Sequence, residues 1–344
     1  MAAPIHRPAL DYLASLLFVP VIATVISRIA RRYMNPTIEA TNIRTKTEFP
    51  KLENVLLCTD FSPASQAAGN VALQLCKGRD ARLTVMHVSE YGPMPAITDE
   101  GLDYALGLVV KERRHLKSVT DEFSQNGAHA EAVMDEGSAA STILEHIERC
   151  HNDLAIVGTT AAKGLDRLLF GSTAESIFRR ASCPILTVGP KLESSISTRG
   201  RPIIFATDFD ETSLDALRYA ISLAEIIRSP LHVVHVLPLP VGDDRDLASR
   251  IVGEALRLVS MRVPPDGSVP HCEMLHGTDV SHSVVEYARA QDAAFIVLGV
   301  RRRSAISTHL PPHRTFRIIM TAPCPVLTVA YDQQSALATA AGCY

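Results

Sequence analysis

The sequence predicts two consecutive α/β domains, each a doubly wound parallel sheet with helices on both faces. Short, uniformly apolar runs such as NVLLCT at 54–59 and LTVMHV at 83–88 are typical of parallel strands that are buried on both sides. Segments with helical periodicity alternate with these runs, as parallel α/β folds require. The pattern begins again near residue 202, and a chain of 344 residues is long enough for two such domains.

The first copy starts with a strand over 54–59 and a clear helix signal. Ser62 precedes Pro63, which is the combination of an N-cap residue with proline at the first helical position. Apolar residues then recur at helical spacing and predict the face of this helix that meets the core: Ala67, Ala68, Val71, Ala72 and Leu75.

The remaining elements of the first copy follow the same alternation. We predict a second strand over 83–88, a long helix within 100–125, a third strand over 130–134 and a helix over 141–149. The candidate core positions of the long helix are Leu106, Val109, Val110, Leu116 and Val119.

Residues 154–188 hold the best candidate for a ligand site. Two apolar strands flank a loop that is punctuated by glycines, namely Gly158, Gly164 and Gly171. The tetrapeptide from Ser172 to Glu175 has the spacing of a capping box, so we predict that a helix begins at Ser172. Unpaired backbone N–H groups and the helix dipole favour an anion at such a terminus. The segment therefore predicts a phosphate site.

Two side chains near this loop admit two interpretations each. Asp60 follows the first strand, at the edge where parallel sheets bind ligands, and it either contacts the ligand or caps its own loop. Lys163 either contributes charge to the phosphates or is a solvated loop lysine.

The second half of the chain repeats the first. PIIFATDF at 202–209 repeats VLLCTDF, and LHVVHV repeats LTVMHV. Gly299 lies 141 residues after Gly158, and CPVLTV at 324–329 lies 141 residues after CPILTV. The constant offset indicates a tandem duplication.

The glycine loop resembles the phosphate-loop signature of the universal stress protein family, G-x2-G-x9-G-[S/T]. Gly158, Gly171 and Ser172 match this signature, and Ala161 stands at the position of the middle glycine. TDFS at 59–62 resembles the first-strand motif of the ATP-binding branch. The resemblance covers residues 50–332 and implies tandem Rossmann-like domains, each with an open five-stranded parallel sheet of order 3-2-1-4-5.

The ligand that this resemblance implies is ATP, held by the first domain. Asp60 would lie near the adenosine moiety, Val88 would line the base, and the glycine loop would contact the phosphates. Asp60 is also placed to hold Mg2+ through the phosphates. The candidate nucleotide-binding residues are Thr59, Asp60, Val88, Val157, Gly158, Ala161, Lys163, Gly164, Gly171, Ser172 and Thr173.

The corresponding loop of the second copy has lost most of this signature. Pro312 replaces Gly171 and lacks a backbone donor, and His313 replaces Ser172. The loop is basic instead, with Arg301, Arg302, Arg303, His309, His313 and Arg314. Two interpretations stay open: a loop that has lost its ligand, or a site where arginine side chains hold a different anion.

Three classes of function remain. The first is an ATP-binding stress-response or regulatory protein, the second a scaffold without nucleotide that dimerises and docks partners, and the third a slow ATP hydrolase. The sequence has no GxSxG or HExxH motif and no clustered Ser, His and Asp, so we do not expect an enzyme. A net charge of −3 and the absence of Trp argue against nucleic acid as a partner.

The two ends of the chain lie outside the repeat. Residues 12–27 are uncharged and mostly apolar, and Arg28, Arg31 and Arg32 follow them. This run is shorter than the roughly 20 residues of a spanning helix. The alternatives are an anchor to the inner membrane through residues 12–30, with the bulk of the chain cytoplasmic, an interfacial helix, or a leader that binds a partner or is disordered. Seven scattered cysteines without a CxxC pair indicate reduced thiols in a cytoplasmic protein.

The predicted organisation follows from these observations. We expect the strands at 185–188 and 326–329 to pair within one chain as an internal pseudo-dimer, with a homodimer as the alternative. The predicted segments are an N-terminal apolar segment and tether at 1–49, a first domain at 50–190, a linker at 191–201, a second domain at 202–332 and a tail at 333–344.

Overall fold

The computed structural model describes residues 50, 52–90, 99–159, 171–189, 198, 200–208, 211–237, 253, 270–301 and 313–331. Strands and helices alternate in both halves of the chain. The first half contains β1 (Asn54–Cys58), α1 (Pro63–Cys76), β2 (Arg82–Ser89), α2 (Asp99–Gln125), β3 (His129–Glu136), α3 (Ala139–Cys150), β4 (Leu154–Gly158), α4 (Ser172–Arg180) and β5 (Ile185–Val188). The second half contains β6 (Ile203–Ala206), α5 (Glu211–Ile227), β7 (Leu231–Leu237), β8 (His271–His276), α6 (Val280–Ala290), β9 (Phe295–Arg301), α7 (His313–Thr321) and β10 (Val326–Tyr331).

The ten strands that the structure describes form one sheet in the order β3-β2-β1-β4-β5-β10-β9-β6-β7-β8. Each half therefore has the predicted order 3-2-1-4-5, with parallel pairing throughout. The two halves join through β5 and β10, which run antiparallel with Leu186 opposite Leu327. This confirms the prediction that the last strand of one copy pairs with that of the other inside a single chain.

The helices cover both faces of the sheet, because side chains alternate along each strand. On one face, α1, α2 and α5 pack on a core that continues from one half into the other. On the opposite face, α3 and α4 cover the first half and α6 and α7 cover the second, with a separate core for each half. All five predicted core residues of α1 are buried.

One part of the predicted core is wrong, because Leu106 and Val110 of α2 are each 54% exposed, whereas Leu116 is fully buried. The reason is a mismatch of lengths. Helix α2 has 27 residues and is about 40 Å long. The strands β2 and β3 beneath it have 8 residues each and are about 26 Å long. The helix therefore extends past the sheet, and these apolar positions lie beyond the core.

Within the parts of the chain that the structure describes, none of the helices combines the length and apolar character needed to cross a membrane. The apolar segment at 12–30 lies outside the described residues.

Candidate functional site

The candidate site lies where the chain changes direction across the sheet. Strands β1 and β4 are neighbours, and Cys58 pairs with Val157 at their carboxyl ends. Helix α1 follows β1 onto one face, whereas α4 packs on the other face. A doubly wound sheet forms a crevice at such a switch point, and ligands bind there. The structure thus brings Thr59 and Asp60 to the same edge as Gly158.

Gly158 is required by packing at this edge. A Cβ atom at this position would lie 2.4 Å from both the carbonyl carbon and the oxygen of Ala64, and 2.7 Å from the nitrogen of Ser65. The start of α1 therefore rests directly on the backbone of β4. Glycine lets the two elements meet at this distance, whether or not a phosphate also approaches.

The turn after β1 holds Asp60 in a defined conformation. The backbone N–H of Thr59 donates to the carbonyl of Met86 at 2.9 Å, and its Oγ1 accepts from the N–H of Phe61 at 3.1 Å. Asp60 Oδ1 accepts from the N–H of Ser62 at 3.0 Å. Asp60 therefore does cap its own loop, and its side chain is also exposed to solvent at the crevice.

The charge of Asp60 limits what it can bind. Partial burial on its own raises the pKa of this carboxyl, but hydrogen bonds from Ser62 and Ser65 outweigh burial and hold the pKa below its usual range. Asp60 is therefore ionised at neutral pH. A carboxylate accepts hydrogen bonds or binds a cation, and it repels phosphate. Its chemistry suits the hydroxyl or amino groups of a nucleoside, or a metal ion on the phosphates.

Helix α4 begins at Ser172, as predicted, but its cap differs from the prediction. Gly171 is the N-cap and no side chain caps the helix, so the predicted capping box is wrong. The hydroxyl of Ser172 lies one position too far along the chain, and Glu175 pairs with Arg179 at 2.8 Å instead. The first intrahelical bond runs from the N–H of Glu175 to Gly171 O, at 2.8 Å. The preceding amides of the first turn have no acceptor within the helix.

The other candidates have less to contribute in the described residues. Val88, near the end of β2, is buried in the core beneath α3 and offers little surface to a base. Ala161, Lys163 and Gly164 lie outside the described residues, and their predicted roles stay predictions.

The sequence did not indicate the role of His87, whose imidazole contacts the turn after β1. Nδ1 of His87 lies 2.8 Å from the carbonyl oxygen of Thr59. The equivalent His235 in the second domain lies 2.7 Å from the carbonyl oxygen of Thr207. The signal was available in the repeat, since LTVMHV and LHVVHV share this histidine. The interaction joins residues 28 apart, which no local pattern indicates.

The described residues contain neither a cluster of metal ligands nor a disulfide. No group of three His, Cys, Asp or Glu side chains there is arranged to hold a metal ion. The six described cysteines are free thiols. Burial raises the pKa of the Cys76 and Cys324 thiols to about 12, which keeps them protonated and unreactive at neutral pH.

The sheet order, the switch-point crevice and the glycine-capped helix define a doubly wound, Rossmann-like α/β protein. The sequence matches the universal stress protein family over residues 51–189 and again over 200–330. These two matches include most of the chain, and the chain therefore belongs to the universal stress protein family.

Individual relatives agree with this assignment. A universal stress protein of Methanocaldococcus jannaschii is 33% identical over 144 residues, which is 41% of this chain and 85% of the relative. The universal stress protein YxiE of Bacillus subtilis is 25% identical over 143 residues, 39% of this chain and 97% of the relative. The crystal structure of a universal stress protein from Archaeoglobus fulgidus covers 81% of this chain and 99% of its own, with a TM-score of 0.65 and 19% identity. This likeness extends over both domains of the fold.

Proposed function

We propose that this universal stress protein binds ATP in its first domain and acts as a regulatory protein. One observation carries the proposal. At the switch point between β1 and β4, an ionised and exposed Asp60 lies at the same edge of the sheet as the carboxyl end of β4. The chain continues from β4 to α4, whose N-terminus has no side-chain cap. In this proposal, Asp60 is the acceptor for the nucleoside and the first-turn amides of α4 are the donors for the phosphates.

Each half of the nucleotide has a distinct set of partners in this proposal. The backbone amides from Gly171 to Thr173 donate hydrogen bonds to the phosphates, and the positive end of the α4 dipole faces them. Asp60 accepts hydrogen bonds from the nucleoside or holds Mg2+ on the phosphates. Lys163 adds positive charge from the loop.

The critical test removes one backbone donor without altering a side chain contact. Gly171 has a φ of −61°, which proline also adopts, and a Cβ placed there meets nothing within 4 Å. We expect Gly171→Pro to weaken ATP binding at least tenfold in calorimetry, with an unchanged melting temperature. Gly171→Ala keeps the N–H and is the matched control. Equal ATP affinity in the two variants would refute the phosphate site at α4.

Two measurements on the unmodified protein separate the alternative functions. Titration with labelled ATP distinguishes a nucleotide-binding protein from a scaffold that works only through its surfaces. Phosphate release under saturating ATP and Mg2+ tests for slow hydrolysis. We expect saturable binding and no turnover above background.

A further inference from the structure

The turn that carries Asp60 is held in place by a cluster of side chains from β2 and α2. His87 lies on β2, the strand next to β1. Its Nδ1 is 2.8 Å from Thr59 O. A carbonyl oxygen only accepts hydrogen bonds, so Nδ1 must carry the proton and donate it. His87 therefore fixes the backbone immediately before Asp60.

The residue after Asp60 has an unfavourable backbone conformation. Phe61 has a φ of +62°, which lies in the left-handed region that bulky residues avoid. Its ring contacts two imidazoles, and the ring centroids lie 4.4 Å from His87 and 4.4 Å from His115 of α2. The His115 ring is nearly parallel to it, at 12°. These contacts compensate for the backbone strain and hold Phe61 in this conformation.

His87 itself has little freedom to move. The residue is 8% exposed, and its Nε2 is buried without a hydrogen-bond partner. Glu112 Oε2 lies 3.8 Å from this Nε2. That oxygen accepts from the hydroxyl of Ser89 at 2.5 Å, which links the end of β2 to α2. Since Nε2 makes no hydrogen bond, the bond from Nδ1 to the Thr59 carbonyl is the one hydrogen bond that orients this imidazole among the contacts described.

The second domain repeats the hydrogen bond between the histidine and the threonine carbonyl, which we call the clamp, but it lacks the counterparts of Gly164 and Gly171. His235 Nδ1 lies 2.7 Å from Thr207 O, and the N–H of Thr207 donates to Val234 O at 2.9 Å. Asp208 then takes the place of Asp60. The second copy is thus a natural control, because a clamp with a purely structural role should matter equally in both domains.

We infer that His87 is a positioning residue of the nucleotide site, which fixes the Thr59 carbonyl and the Phe61 ring so that Asp60 presents its carboxylate to the ligand. The inference rests on the proposed ATP site. His87 does not contact the nucleotide in this inference. It affects the affinity for ATP by ordering the turn that carries Asp60.

The test compares three substitutions in the full chain. His87→Leu removes the donor and is expected to weaken ATP binding about fivefold to tenfold, the effect of one lost hydrogen bond. His87→Asn offers an amide N–H at a similar position and should restore most of the affinity. His235→Leu removes the equivalent clamp from the second domain and should leave ATP affinity unchanged. Unchanged affinity in His87→Leu, or an equal loss in His235→Leu, would overturn the inference.

A second readout separates this inference from the proposed function. Hydrogen exchange at the N–H groups of Phe61 and Ser62 reports the order of the turn without any nucleotide. We expect faster exchange in His87→Leu than in wild type, and near wild-type exchange in His87→Asn. If wild type binds no ATP, the proposed function fails. The exchange data then still test whether His87 orders the turn. Equal exchange rates in wild type and His87→Leu would overturn the role of His87 independently of ATP binding.

Discussion

Gly158 and Gly171 belong to one sequence signature, but the structure places different demands on them. The backbone of α1 approaches Gly158 so closely that a side chain has no room. Gly171 is exposed, and nothing lies within 4 Å of a Cβ placed there. Spacing in the sequence identifies both positions but cannot show which glycine serves packing. That distinction depends on the position of α1, whose Ala64 lies 94 residues before Gly158 in the sequence.

We therefore expect an added methyl group to destabilise the protein at Gly158 but not at Gly171. Gly158→Ala should lower the free energy of unfolding by about 1–3 kcal/mol, because the added methyl group overpacks against Ala64. Gly171→Ala should change it by less than about 0.5 kcal/mol. Urea denaturation of both variants provides the comparison. A Gly158→Ala protein as stable as wild type would show that the contact between α1 and β4 relaxes easily.

At the scale of the element, α4 belongs to both domains. Its start at Ser172 and its apolar periodicity were predicted, but its neighbours were not. Ile177 packs in the core of the first domain, whereas the adjacent Phe178 packs in the core of the second. The Phe178 ring lies 5.0 Å from that of Phe316 in α7, and the Arg179 guanidinium lies 5.7 Å above the Phe316 ring. Periodicity shows that a residue is buried, but the partner across the β5–β10 junction depends on tertiary structure.

Two neighbouring substitutions should therefore loosen different domains. Ile177→Ala and Phe178→Ala should each destabilise the protein by about 2–5 kcal/mol, as buried truncations do. Hydrogen exchange should then accelerate in α3 and β4 for Ile177→Ala, and in α7 and β9 for Phe178→Ala. If Phe178→Ala affects only first-domain elements, α4 does not contribute to the second core.

At the scale of the whole molecule, the two domains of one chain share a continuous sheet. Among the described strands, the antiparallel pairing of β5 with β10 leaves β3 and β8 at the edges of the sheet. On the face of α1, Arg79 joins the two halves, because its guanidinium donates to Leu75 O at 2.9 Å and also to Ile226 O of α5. The duplication and this pairing were predictable from the repeat and from the cost of exposed edges. The Arg79 contact was not, since nothing local marks it.

The symmetry of the fold contrasts with the asymmetry of the loops, and the last prediction follows from this contrast. The second domain keeps Gly299 on β9 and the bond between His235 and Thr207. However, Pro312 stands where the first domain has Gly171, directly before α7, and proline has no N–H to offer a phosphate. We expect one ATP per chain in calorimetric titration. We also expect an unchanged affinity for Arg302→Ala, because this arginine belongs to the loop in which Ala305 and Pro312 replace Gly164 and Gly171. Two equivalents of ATP per chain, or weaker binding by Arg302→Ala, would instead identify the basic loop as a second anion site built from side chains.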